Sequence, residues 1–276
     1  MKNNLISVCI PTYNQTIYLK KTIDSVYAQR EVDFEIIISD DSSTQEVYNL
    51  VKQYDTFTPK IKYIRNNPNL GSPQNWNYVI SLANGEYIKL LHHDEWFISS
   101  QTLKKLFDIA SLDINNLVFS ASKSINKSIE TDFYSNSKIV NKFNIEPERI
   151  LLGNFIGCPS GILFHTSKKN QFDINLVWLV DVDFYIELLH NSCKLIYINE
   201  KLYTSVIDDH NLTNACLADS ELLIKEYVYL FKKHILKLGF HKQIFYFYSV
   251  YKILKSSIKN SRFLLLRMLK KIYYVQ

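Results

Sequence analysis

The stretch Gly85-Glu86-Tyr87-Ile88-Lys89-Leu90-Leu91-His92-His93-Asp94-Glu95 is an apolar run of strand length that stops on four consecutive titratable side chains. Read as a strand, it is buried along its length and delivers charge at its carboxyl end. In an open α/β sheet, ligands bind in the crevice beyond the carboxyl ends of the strands. Asp94 and its neighbours are therefore candidates for a metal or phosphate site, with a solvated turn as the alternative.

The residues upstream decide between these readings. Residues 6–10, 34–39 and 61–64 are strand-like runs. Between them, residues 18–29 carry Leu19, Ile23 and Val26 at helical spacing, and residues 44–54 and 72–82 are also read as helices. Strands separated by helices of this length make right-handed βαβ units and a parallel sheet. Downstream, the pattern predicts a helix over 101–111, a strand over 117–121, irregular structure over the polar residues 122–144 and a short helix over 146–152. The cluster of Gly153, Gly157, Pro159 and Gly161 marks a bent loop before a strand over 161–165. A helix over 182–190, a strand over 195–198 and helical, aromatic-rich sequence from about 219 complete the chain, with no internal repeat or low-complexity linker.

With 276 residues, 47% of them hydrophobic and 21% charged, the chain is long enough for a sizeable core and reads as globular. Its net charge of +5 is unevenly spread. Residues 218–276 carry twelve Lys or Arg against Asp219, Glu221 and Glu226, a net +9, which leaves −4 for residues 1–217. An acidic body with a basic tail suggests contact with an anionic surface or with nucleic acid. Cys9, Cys158, Cys193 and Cys216 are far apart and form no C-x-x-C pair, so they read as core residues or free thiols. The first apolar run is too short for a signal peptide, and no run approaches the roughly 20 residues that span a bilayer. The expected location is cytoplasmic, with peripheral contact at the inner face of a membrane.

Four polar clusters follow the strands: Pro11-Thr12-Tyr13-Asn14, then Ser39-Asp40-Asp41-Ser42-Ser43-Thr44, then Asn66 to Gly71 leading into Asn75-Trp76-Asn77, and last His92-His93-Asp94-Glu95. Each alone is weak, since Asp41-Ser42-Ser43-Thr44 could simply cap a helix. In this order and spacing, with Ser7 to Asn14, Glu35 to Thr44, Asn69-Leu70-Gly71 and Gly85 to Glu95 as the matching stretches, the chain resembles the family 2 glycosyltransferases. The resemblance covers roughly the first 100 residues well, weakens towards residue 213 and is absent from the tail. It implies the GT-A fold, a Rossmann-like, mostly parallel sheet flanked by helices. Here that fold would fill residues 1–217, with a nucleotide-binding half (1–98) and an acceptor-binding half (99–217), and a helical extension would follow over 218–276.

The resemblance also implies roles. Pro11, Thr12, Tyr13 and Asn14 would wrap the nucleoside of a nucleotide-sugar donor, with Asp40 accepting from a pyrimidine N–H and Asp41, Gly71, Asn77, His92 and His93 contributing to the donor site. An acceptor carboxylate there would suit uridine or thymidine, and a UDP-sugar is the expected donor. A divalent ion, Mn²⁺ or Mg²⁺, would bridge the diphosphate to carboxylate oxygen. Asp94 matches the last acid of the family's D-x-D motif and is the expected ligand. His92 stands in place of the first acid, which removes one negative charge, and Trp76 stands where the family commonly has Arg. Lys89 and Gln74 are then possible donor contacts. In Trp178-Leu179-Val180-Asp181-Val182-Asp183, Asp181 matches the family's general base and Asp183 its later acid, while Val180 replaces a Glu. The alternative is that these acids cap a helix. Asp181 would deprotonate an acceptor hydroxyl as it attacks the anomeric carbon, with inversion. His210 would close over the diphosphate or metal, although a lone His is often only a surface or core residue. The loop Gly157-Cys158-Pro159-Ser160-Gly161 would shape the acceptor pocket or merely make a tight turn.

The tail mixes Phe245-Tyr246-Phe247-Tyr248 and Ile272-Tyr273-Tyr274 with lysines and arginines. That pattern suits an interfacial helix on anionic lipid or a helix packed on its own domain. No motif supports nucleic-acid binding. The expected enzyme moves a sugar to a saccharide or lipid-linked saccharide in surface polysaccharide or lipopolysaccharide synthesis. The alternatives are a binding module without catalysis, which the His92 and Val180 departures would suit, and a nucleotidyltransferase, against which the lack of a Gly-rich loop after Ile10 argues. The absence of G-x-G-x-x-G argues against a dinucleotide dehydrogenase.

Overall fold

The protein is described here by a computed structural model covering residues 4–126, 129–207, 216–257 and 264–273. Its first third alternates β1 (Ile6–Thr12), α1 (Ile17–Tyr27), β2 (Phe34–Asp40), α2 (Glu46–Val51), β3 (Ile61–Arg65), α3 (Gln74–Ser81) and β4 (Tyr87–Leu90). β1 pairs in parallel with both β2 and β4, and β2 pairs in parallel with β3. The side-chain period of two then sorts each strand between the sheet's two faces. Ile6, Val8, Ile10, Ile36 and Ile38 meet α1 on one side, whereas Cys9 and Ile37 meet α3 on the other. Burial on both faces explains the near-continuous apolar runs of these strands. Each fully buried Ile contributes about 1.5–3 kcal/mol, so Ile23→Ala beneath α1 is expected to cost about 2–5 kcal/mol.

The second part adds β5 (Glu95–Phe97), α4 (Thr102–Ala110), β6 (Asn116–Asn126), β7 (Ile129–Phe133), α5 (Ser137–Ile145), β8 (Ile162–His165), α6 (Val180–His190) and β9 (Lys194–Val206). β8 joins the sheet antiparallel to β4, giving the strand order β3-β2-β1-β4-β8-β6-β9-β5, with β7 paired to β6. Residues 122–144 are not irregular as their polarity suggests. They hold the end of β6, the hairpin partner β7 and α5. β7 is exposed along most of its length, so its charged residues are those of a protected sheet edge and not of a loop.

The C-terminal segment forms α7 (Ser220–Leu230), a π-turn (Phe231–Ile235), α8 (Phe240–Ser257) and α9 (Leu264–Tyr273). Its apolar residues, among them Ile224, Phe231, Ile235, Val250 and Met268, are buried in the same cluster as α6 and the inner face of the sheet. No helix of the described residues is long and apolar enough to cross a membrane.

Candidate active site

The carboxyl ends of β1, β2 and β4 open into one cavity of ≈ 840 Å³, and the N-terminal turn of α6 closes it from the opposite side. Pro11, Thr12, Tyr13, Asp41, Gly71, His92, His93 and Asp94 line it from the first half of the chain, and Asp181 lines it from the second. Two regions more than eighty residues apart in sequence therefore face a common space. Thr12 Oγ1, His92 Nε2 and Glu95 Oε2 belong to lining residues and have no hydrogen-bond partner among the described residues. Buried polar atoms are normally paired, so these are positioned to receive a polar ligand.

Three residues expected to touch the ligand do not line the cavity. Asp40 is fully buried: its Oδ1 accepts from the Ser42 amide (2.8 Å) and its Oδ2 from the Tyr63 hydroxyl (2.6 Å). Burial, reinforced by Asp40, holds the Tyr63 phenol above its ordinary pKa. Asn14 links two loops, its amide N–H donating to Ser42 Oγ (2.8 Å) and its Oδ1 accepting from the Ser43 amide (3.1 Å). Asn77 exchanges two hydrogen bonds with the Phe172 backbone, at 2.9 and 2.7 Å. In each case the polar atoms are committed to the fold.

The carboxylate that reaches the cavity beside these loops is that of Asp41. It accepts from the amides of Gly71 (2.7 Å) and Leu70 (3.1 Å) and from Asn66 Nδ2 (2.6 Å). Gly71 sits at φ +73° with open space where a Cβ would go, so backbone conformation is what favours glycine there. Lys89 is not a donor contact either. It is fully buried, donating to the carbonyls of Ser160 and Ile162 (3.3 Å for the latter), and burial lowers it to about 8 against the opposing pull of Cys158 and Glu95. Gln74 is absent from the cavity lining as well.

The four-residue cluster divides its labour. Glu95, the first residue of β5, turns into the interior, where it accepts from Cys158 Sγ (2.9 Å) and lies 3.5 Å from His92 Nδ1, too far for a good hydrogen bond. Burial would lower the His92 pKa, but Glu95, Asp94 and Asp181 together hold it above its ordinary value. Burial holds His93 below its ordinary value. The His92 ring packs against Trp76 at 4.7 Å between centroids, so the aromatic that stands where the family commonly has Arg forms a wall of the site. Burial and the adjacent Glu95 raise the Asp94 pKa.

Asp181 occupies the first turn of α6. Its Oδ1 accepts from the Val182 amide (2.8 Å) and its Oδ2 from Asn154 Nδ2 (2.7 Å). Burial raises its pKa to about 6, moderated by those two donors and by His92. A carboxylate has about four lone-pair sites, so two remain for a proton. Asp183 points the other way. Its oxygens meet His234 Nε2 (2.7 Å) and Lys233 Nζ (2.8 Å), outside the cavity.

The family model described as "Glycosyl transferase family 2" matches residues 7–169, more than half of the chain and the segment that carries the cavity residues from Pro11 to Pro159. The chain belongs to glycosyl transferase family 2. Among relatives of this family-2 chain, protein MT1568 of Mycobacterium tuberculosis is 27% identical over 205 residues, 68% of this chain and 63% of that protein. The match thus spans less than two thirds of that relative's length. The UDP-Glc:alpha-D-GlcNAc-diphosphoundecaprenol beta-1,3-glucosyltransferase WfaP of Escherichia coli is 29% identical over 170 residues, covering 60% of this chain and 63% of WfaP. The crystal structure of S. aureus TarS 1-349 in complex with UDP-GlcNAc superposes with a TM-score of 0.68 at 18% identity, over 97% of this chain and 78% of TarS 1-349. That likeness establishes the GT-A fold.

Of Glu95, Cys158, Asn154 and Trp178, only Asn154 lies outside the stretches that the sequence singles out. Glu95, Cys158, Asn154 and Trp178 support or line the cavity; Glu95 was visible as the fourth charge of the cluster, while Asn154 carried no sequence signal. Gly157, at φ +93°, lines the cavity, and its carbonyl accepts from Asn154 and from the Tyr185 hydroxyl (3.0 Å). The loop thus makes a constrained turn and a cavity wall together. His210 lies outside the described residues. A convergence of Asp183, Glu187 and His234 has ligand atoms close enough for a metal. The Lys233 ammonium already lies 2.8 Å from Asp183 and 3.8 Å from Glu187, supplying the positive charge these acids need.

Proposed function

We propose that this family-2 chain is an inverting, metal-dependent transferase that moves a sugar from a UDP-sugar to a saccharide or lipid-linked saccharide acceptor. The observation that carries the reading is Asp181, with its pKa raised to about 6, facing Asp94 and His92 across one cavity. Tyr13, half exposed at the rim, offers a face for a base, and Asp41 offers an acceptor for a base N–H in place of Asp40. Asp94 fits a divalent ion: it is a desolvated carboxylate on the cavity wall that pairs with no Lys or Arg among the described residues. His92 Nε2 is a further atom on the same wall that has no partner among the described residues. Such an ion would screen the diphosphate of the donor.

In the displacement, the acceptor hydroxyl oxygen bonds to the anomeric carbon while the bond from that carbon to the phosphate oxygen breaks. The hydroxyl proton passes to Asp181, and the nucleoside diphosphate leaves with the electron pair. Asn154 and the Val182 amide stabilise the charged base and orient it. No protein nucleophile is required. The names of WfaP and of the Campylobacter jejuni relative, a GalNAc(5)-diNAcBac-PP-undecaprenol beta-1,3-glucosyltransferase, support a lipid-linked acceptor in surface polysaccharide assembly. α8 supports a peripheral membrane position at the cytoplasmic face. Phe240, Ile244 and Tyr248 form an exposed stripe on it, and Lys252 lies 4.5 Å from the Tyr248 ring.

The test is nucleotide release from a panel of nucleotide sugars with Mn²⁺ or Mg²⁺, with and without undecaprenyl-diphosphate saccharides. Acceptor-dependent release that is lost in Asp181→Asn supports a transferase. Donor binding without turnover on any acceptor would instead support the binding module. Flotation with anionic but not neutral vesicles checks the membrane contact.

A further inference from the structure

Helices normally begin with a Ser, Thr, Asp or Asn whose side chain satisfies the orphan amides of the first turn. α6 has Leu179 at that position and no side-chain cap of its own. The amides just before it are served from elsewhere in the chain. Glu226, fully buried in α7, accepts from the backbone N–H groups of Val177 (2.6 Å), Trp178 (3.0 Å) and Leu179 (2.8 Å). Among the described residues no Lys or Arg pairs with this carboxylate, so its buried charge is met by those three amide dipoles. Hydrogen bonds to a charged acceptor are roughly twice as strong as neutral ones.

The same face of the C-terminal segment continues the grip. The Tyr229 hydroxyl donates to Asp173 Oδ2 (2.8 Å), and Lys233 Nζ reaches both Asp173 (3.0 Å) and Asp183 (2.8 Å). His234 Nε2 lies 2.7 Å from the other oxygen of Asp183, with both side chains buried. The π-turn over Phe231–Ile235 widens the helix where Lys233 and His234 both have to meet Asp183. Residues 173–183 are therefore held on both sides of Asp181, and Val177, Trp178, Val180 and Asp181 from that stretch all line the cavity.

We infer that the C-terminal helical segment positions the base: Glu226, Lys233 and His234 fix the strand of chain that aims Asp181 into the cavity. The inference rests on the transferase reading for its chemistry and on the clamp geometry for its residues. These are positioning residues, since none of them lines the cavity. It also gives the basic tail a second task besides any surface contact.

The experiment compares Glu226→Gln, Lys233→Gln and Asp181→Asn in the full chain, measuring kcat, donor KM, the pH profile of kcat/KM, thermal stability and the affinity for UDP with Mn²⁺. A misplacement of about 1 Å can cost about a hundredfold in rate. Glu226→Gln is thus expected to lower kcat by roughly ten- to a hundredfold, to move the acidic limb of the profile and to leave donor KM and UDP affinity unchanged. Lys233→Gln is expected to do the same to a smaller degree, and it decides the matter should Glu226→Gln fail to fold. A folded variant with unchanged kcat and pH profile, or with UDP affinity falling in parallel with kcat, overturns the inference. If Asp181→Asn stays active while Glu226→Gln falls, the base is another group of the held segment and the clamp stands. If Asp181→Asn is inactive while both clamp variants are fully active, the clamp fails and the base assignment survives.

Discussion

The two walls of the cavity are built on different principles. The wall proposed to hold the donor is local: β1, β2 and β4 end side by side, and each contributes the few residues that follow it in sequence. The wall proposed to carry the base is assembled at long range, with Asp181 on α6, its hydrogen-bond partner Asn154 in a preceding loop and Glu226 of α7 on the amides just before that helix. A wall made of strand ends is fixed by the sheet beneath it and tolerates loss of a single loop contact. A wall hung on buried polar contacts depends on each of them, because an unpaired buried partner carries its full desolvation cost.

The largest expected effect breaks the base wall at its centre. General bases typically contribute about 10²–10⁴ in rate, so Asp181→Asn is expected to reduce kcat by that order with donor KM unchanged. Equal losses in kcat and UDP affinity would mean that Asp181 serves the donor wall instead. Next is the donor wall's own charge. Removal of metal by EDTA, or Asp94→Ala, is expected to lower kcat/KM by about a hundredfold, in keeping with several kcal/mol of charge stabilisation from a metal. Recovery of the chelated wild type by Mn²⁺, but not of Asp94→Ala, separates the ligand from a structural role.

The difference between the walls is also why the strand-end clusters are legible in the sequence and the long-range supports of Asp181 are not. Parallel strands buried on both faces announce themselves as apolar runs, and the polar clusters at their ends sit where the topology must place them. Asp94 and Asp181 were therefore readable as candidates, one from its strand and the other from its match to the family. Asp40 and Asp41 cannot be ranked from sequence, because both carboxylates are buried and hydrogen-bonded to the fold, and only the shape of the cavity shows that Asp41 and not Asp40 borders it. The β7 edge reads as irregular chain because an exposed strand has the composition of a loop. Glu226 lies 45 positions beyond Asp181, and no local pattern connects a buried glutamate to three amides that are themselves invisible in a sequence.

A pH profile sharpens the comparison at smaller amplitude. Burial raises Asp181 to about 6, so its carboxylate is deprotonated above that pH and protonated below it. kcat/KM is expected to be level above the limb and to fall about tenfold per unit of pH beneath it. Asn154 stabilises the charged form, so Asn154→Ala is expected to move the limb upwards. A limb near the ordinary aspartate range, or one that Asn154→Ala shifts downwards, would contradict the assignment.

The smallest expected effect asks whether the donor wall is as tolerant as its construction implies. Tyr63→Phe removes one donor to the buried Asp40 and leaves the Ser42 amide on the other oxygen. Loss of a partner to a buried charged group costs about 1–3 kcal/mol or more, which for a domain of this size is a fall of roughly 2–4 °C in Tm for each kcal/mol. Because Asp40 faces the fold and Asp41 the cavity, UDP affinity is expected to stay at the wild-type value while Tm drops. The contrasting variant is Asp41→Asn, which removes charge from the cavity wall and is expected to weaken UDP binding. The reverse pattern, with affinity falling in Tyr63→Phe and preserved in Asp41→Asn, would return the base-reading role to Asp40. It would also show that the donor wall, like the base wall, is governed by contacts behind its surface.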